Sequence, residues 1–210
     1  MKRLAISLAL ASPYIFVGIF LYLGWITPGY NQFAHTISRL SIGQYGAIES
    51  LNILQLSTSL FLMIYLVRHH AKNSETVRQI TLILGICAML LTLLAIFPTD
   101  PIDTFPKKLL LVSANGLIHF GLVILFVCIA PGRIKHLYIA FKKDPEYHSL
   151  SRITAICGTL AFTASIAWFL FFFFGIYNEY RGLFQKLIAL IVLYWITRIM
   201  NRIAKLFILP

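Results

Sequence analysis

His35, Ser38, Asp100 and His119 are the residue types of a hydrolytic centre. They supply a hydroxyl for attack, imidazoles for proton transfer and a carboxylate to orient them. Arg39 or Arg181 would stabilise a developing anion. His35, Asp100 and His119 also form an imidazole and carboxylate set of the kind that holds a metal ion. A second reading is binding without reaction, by Tyr30, Arg39, Asn52, Asp100, Asp103, His119, Glu179, Arg181 and Gln185. No HExxH, HxxxH, GxSxG or CxxC is present, so the metal set rests on residue type alone and no cofactor is expected.

A purely structural account of the same residues is also available. Asp100 and Asp103 lie between prolines, where aspartate caps turns. Arg39 and Arg181 would lock loops through ion pairs, and His119 would pair with Asn115 one turn earlier. His69-His70 reads as a solvated turn. Trp25, Tyr30, Trp168 and the Phe171–Phe174 block read as interface anchors and lipid-facing bulk.

The elements that must carry these residues are apolar. The chain has 210 residues, 59% hydrophobic and only 12% charged. A soluble bundle would show polar faces at helical period, whereas these runs are apolar all round. Runs of about 20 such residues cross a bilayer. Six spans are predicted, at about residues 4–26, 47–67, 79–97, 109–130, 153–176 and 183–203, in one all-α, polytopic domain. The apolar run at the N-terminus continues well beyond Ala9-Leu10-Ala11, so it reads as a retained first helix rather than a cleaved signal. Asn31–Leu40 is predicted as a short helix at the interface, and Pro131–Arg152 as the longest and most charged link. Asn52, Gln55 and Ser59 share one face of the second span and should look into the bundle. Cys87, Cys128 and Cys157 fall inside spans and read as packing residues.

The net charge of +11 resides in the short segments between spans. That is a topology and lipid-headgroup pattern, with no basic arm or nucleic-acid motif, so membrane lipids and not nucleic acid are the expected partners. One side of the membrane holds Lys2, Arg3, Arg68, Lys72, Arg78, Arg133, Lys135, Lys142, Lys143, Arg152, Arg198, Arg202 and Lys205. The other holds Arg39, Lys107, Lys108, Arg181 and Lys186. The bias predicts both termini in the cytoplasm. Three outer loops then converge, with His119 about 15 Å below them at 1.5 Å per residue. Ionisable groups at that depth face a cavity or a partner.

The order of residues resembles a known membrane family. Gly24, Pro28-Gly29-Tyr30, Ile37-Ser38-x-Leu40 and Asn52 look like the opening signature of the family called domain of unknown function 998. Phe97-Pro98-x-Asp100, His119 and the start of the last helix, Gly182-Leu183-Phe184-Gln185-Lys186, continue it over nearly the whole chain. The resemblance implies a six-helix protein of a prokaryotic cytoplasmic membrane and carries no activity. Arg39 stands where the family usually has an acid, Ser41 where it has glycine, and Lys186 where it has arginine.

These observations predict an outward-facing polar pocket that binds a lipid headgroup or small ligand. The alternatives are an intramembrane hydrolase or transferase on lipid-linked substrates, and a small transporter. The transporter would need a buried acid in mid-span to carry coupling protons, and the spans show none there.

Overall fold

Apolar side chains on every face, rather than in one stripe, make the long helices of this chain. The computed structural model describes residues 2–70, 74–100, 112–174 and 178–207. Six helices account for most of them: α1 (Lys2–Ile26), α2 (Gly46–His70), α3 (Glu75–Ile96), α4 (Ala114–Lys143), α5 (Ser151–Phe174) and α6 (Arg181–Phe207). Each is long and apolar enough to cross a membrane. Each helix packs on the next in sequence, and α6 returns to α1 to close the ring while also touching α2 and α4. The fold is an all-α, six-helix membrane bundle.

The outer surface is apolar as well as the core. Tyr14, Leu51, Phe61, Met89, Leu117, Phe162 and Leu170 are all exposed, as expected where lipid is the solvent. Inside, a large cluster that includes Leu60, Met63, Ile80, Leu84, Ile134, Phe141, Trp195 and Met200 runs through the bundle. A smaller one, with Phe16, Phe20, Leu23, Leu40 and Leu56, fills the end where α1 stops and α2 begins.

Polar cross-links join the helices. Ser12 Oγ donates to Gln55 Oε1 (2.8 Å), and the Gln55 and Asn52 amides donate to the Ser12 and Phe16 carbonyls on either side of Pro13. Ser57 Oγ donates to the Ala88 carbonyl of α3 (2.7 Å), and Trp195 Nε1 to Thr154 Oγ1 (3.1 Å) between α6 and α5. With water absent, such bonds also remove the cost of leaving these groups unpaired. Ser59 is buried and donates within its own helix, to the Leu56 carbonyl.

Four expectations change. First, α4 does not stop at Ala130 but runs through Pro131 to Lys143. Ile134, Leu137 and Phe141 are buried at helical spacing while Arg133 and His136 face outward, so an amphipathic stripe carries the helix on. Its 30 residues span roughly 45 Å at 1.5 Å each, more than a hydrocarbon core. Second, of Asn31–Leu40 only the part from Ile37 is helical, as a 3₁₀ turn ending at Ser41. Third, Trp168 is buried and stacks on Phe172 (5.3 Å between ring centroids) rather than anchoring at the interface. Fourth, Cys128 is exposed on the outer face, whereas Cys87 and Cys157 pack inside.

Candidate functional site

The polar segment between α1 and α2 is held on the first turn of α6. Gly29 turns the chain at φ 71°, a conformation that glycine adopts freely. Asn31 Oδ1 accepts from the Phe33 and Ala34 amides, and His35 Nδ1 accepts from the Asn31 amide (2.9 Å). The Tyr30 hydroxyl donates to the carbonyls of His35 (3.1 Å) and Thr36 (3.0 Å). From α6, Lys186 Nζ donates to the carbonyls of Gln32 and His35, both at 2.7 Å, and lies 5.1 Å from the centre of the Tyr30 ring. The Leu183 amide donates to the Phe33 carbonyl, and Gln185 Oε1 accepts from the Ile37 amide (2.8 Å). Gly182 permits this docking, because a Cβ there would run into the His35 backbone. Desolvation holds the Tyr30 phenol above its ordinary pKa, with Glu49 adding to the effect and Arg39 opposing it.

The connection between α3 and α4 is tied by a different set. Asp100 accepts from both the amide and the hydroxyl of Ser113 (2.7 Å each). Ser113 in turn caps α4 by accepting from the Gly116 amide (3.0 Å). Asp100 therefore serves the helix start rather than a turn between the prolines. Gly116 leaves room for its carboxylate.

His119 is buried, at 4% exposure, and does not pair with Asn115, which is exposed. Its Nδ1 lies 2.6 Å from the Phe97 carbonyl at the end of α3. A carbonyl only accepts, so Nδ1 carries the proton, and in the neutral ring Nε2 is left as an acceptor. Nε2 is buried and has no partner among the described residues.

Two cavities meet at this histidine. One, of about 100 Å³, lies among α1, α2, α3, α4 and α6 and is walled by apolar side chains such as Phe16, Leu56, Leu91, Val127 and Ile188. The other, of about 80 Å³, is lined by Thr36, Thr99, Asp100, Trp168, Phe172 and Arg181. Ser38, His119, Val123 and Gln185 border both. An apolar chamber thus adjoins a vestibule of mixed polar and apolar lining across three hydrogen-bonding side chains.

The remaining residues are dispersed. His35 belongs to the docked segment. Arg39 borders a separate hollow with Tyr30 and Tyr45. Asn52 lies in the seam between α1 and α2, and Glu179 is exposed in the turn before α6. Asp103 lies outside the described residues. Among the described residues, no three His, Cys, Asp or Glu side chains gather around one point, so His35, Asp100 and His119 do not come together as a ligand set. Ser38 and His119 border the same cavities without a hydrogen bond between them.

Two residues escaped the sequence reading. Lys186 entered as one of the outer basic residues and as a departure from a family pattern, yet its ammonium holds the docked segment. Glu49 is fully buried in the first turn of α2. Its signal was available as the acid three residues before Asn52, to which it is hydrogen-bonded.

A family described as "Protein of unknown function (DUF998)" matches residues 10–200. No curated protein and no solved structure matches the chain.

Proposed function

Since the chain belongs to the DUF998 family, a family of unknown function, we propose its function from geometry: it binds a small amphiphile drawn from the bilayer. The hydroxyl or amide of the ligand occupies the vestibule and donates to His119 Nε2. A short apolar portion enters the chamber. The carrying observation is the buried Nε2, without a partner among the described residues, at the junction of an apolar cavity and one of mixed lining. A buried acceptor without a donor is costly, and a ligand that supplies the donor removes that cost. Gln185 and Ser38 offer a second and third polar contact at the same junction.

The vestibule faces outward and both termini lie in the cytoplasm on this reading, supported by the distribution of basic residues. Membrane lipids are the ligand source, and the prokaryotic cytoplasmic membrane is the location implied by the family resemblance. Hydrolysis is the less supported reading, because Asp100 is engaged with Ser113 and no hydrogen bond activates Ser38.

Photolabelling tests the binding reading. A monoacylglycerol carrying a diazirine in its chain is irradiated with the protein in nanodiscs, and the labelled peptides are mapped. Adducts at Leu91, Val123 or Ile188 are expected, competed by unlabelled monoacylglycerol. Adducts confined to outward residues such as Leu51 and Phe162 would sink the proposal.

A further inference from the structure

A second buried polar centre lies at the start of α2 and plays no part in amphiphile binding. Glu49 is 0% exposed. Its Oε2 accepts from Asn52 Nδ2 (3.2 Å), an amide shared with the Phe16 carbonyl, and its Oε1 has no partner. The buried Ser41 hydroxyl also has none. Ser41 lies against the same turn of helix, since a Cβ on Gly46 would strike the Ser41 carbonyl, and positions 46 and 49 share a helix face. Two unsatisfied oxygens, one a carboxylate and one a hydroxyl, therefore border the corner between the Ile37–Ser41 turn and α2.

Among the described residues, no cation forms an ion pair with this carboxylate. The ion pair among the described residues is Arg78–Glu75, at the other end of the bundle. Lys186 directs its ammonium at the Gln32 and His35 carbonyls. Arg39 and Tyr30 face this region from the docked segment without bonding to the carboxylate, and α1 presents the Phe16 carbonyl. A carboxylate removed from water in this way is neutralised by a proton or matched by a cation.

We propose that Glu49 and the Ser41 hydroxyl form a binding site for a monovalent cation, either a proton or a sodium ion. A hollow of about 330 Å³ lined by Thr27, Tyr30, Arg39 and Tyr45 flanks the same stretch of chain, although neither Glu49 nor Ser41 lines it. Either occupant supplies one positive charge to the carboxylate: a proton by forming an O–H bond on Glu49, a sodium ion by coordination to the Glu49 and Ser41 oxygens. The site adds a charge-coupled function to the bundle and stands independently of the amphiphile reading.

The experiment compares the full chain with Glu49→Gln in detergent. Unfolding temperature is followed while sodium replaces choline at constant ionic strength, across mildly acidic to mildly alkaline pH. A sodium occupant raises the wild-type temperature at alkaline pH, with choline giving no such rise. A proton occupant gives a wild-type temperature that falls with rising pH and ignores sodium. In either case Glu49→Gln loses the dependence, because the amide is neutral at any pH. Equal responses in both proteins, or no response in either, would overturn the proposal. If Glu49→Gln fails to fold, infrared spectra of the wild type decide. The carbonyl stretch of a protonated acid shielded from exchange should disappear on raising pH, or the carboxylate bands should shift on adding sodium. Spectra indifferent to both would overturn it.

Discussion

At the scale of single residues, His119 separates structure from binding by its two nitrogens. His119→Ala removes the bond to the Phe97 carbonyl and leaves that acceptor without its donor, at a cost of about 1–3 kcal/mol. His119→Asn keeps a donor where Nδ1 stood and removes Nε2, so it should unfold within about 1 kcal/mol of wild type. Thermal unfolding checks both, and on the binding reading both variants should lose chamber labelling. Lys186→Met removes two charge-assisted bonds and should cost about 2–3 kcal/mol in the same measurement. Lys186→Arg retains donors for both carbonyls and should lose much less. Tyr147 makes the opposite case. Its hydroxyl is buried without a partner, and desolvation first, then Glu146 and Asp144, push the phenol up to about 12 from 10.0. The neutral form is the one the fold favours, so this contribution is intact below pH 10 and lost as pH rises through about 12. Tyr147→Phe should raise stability by about 1 kcal/mol and flatten the alkaline limb of a pH–stability curve.

At the scale of elements, the docking of residues 27–41 onto α6 is the feature that shapes the site. It depends on Gly182, where an added Cβ meets backbone and not a side chain that can swing away. Gly182→Ala should therefore cost about 1–3 kcal/mol and expose the segment to proteases, visible as new cleavage between residues 31 and 36. The helices that carry this contact were legible from the sequence, because apolar run length reports a span directly. The contact itself was not. Asn31–Leu40 has the residues of an amphipathic helix, but hydrogen bonds from Tyr30, Lys186 and Leu183 hold most of it in turns. The extension of α4 was missed for a related reason: the stripe of Ile134, Leu137 and Phe141 was masked by the charges interleaved with it.

At the scale of the whole molecule, the proposed orientation in the bilayer rests on the basic residues between spans. Gln44→Cys, on the site end, should react with an impermeant maleimide from outside intact cells. His136→Cys, on the extension of α4, should react only after the cells are opened. Reversal of that pattern would invert the topology. The background is low, since Cys87 and Cys157 are buried and Cys128 faces the apolar exterior, out of reach of a charged reagent. The same geometry separates the two polar centres. His119 comes from α4 and Glu49 from α2, although Phe16 and the Ile37–Ser41 turn border both centres.

The sequence by itself determined the class of protein, the number of spans, the family pattern and the gathering of polar residues towards one end. These are properties of short stretches read against a bilayer of known thickness, and no long-range contact is needed to see them. Tertiary structure decided which partner each polar residue took. His119 meets a carbonyl 22 residues before it, Gln185 an amide 148 away and Lys186 a carbonyl 154 away. Asp100, a catalytic candidate by type, turned to Ser113. Glu49, an acid that the first turn of any helix welcomes, is a buried acid only because the chain packs over the start of α2. Residue type limits what a side chain can bond, and packing in three dimensions selects the bond it makes.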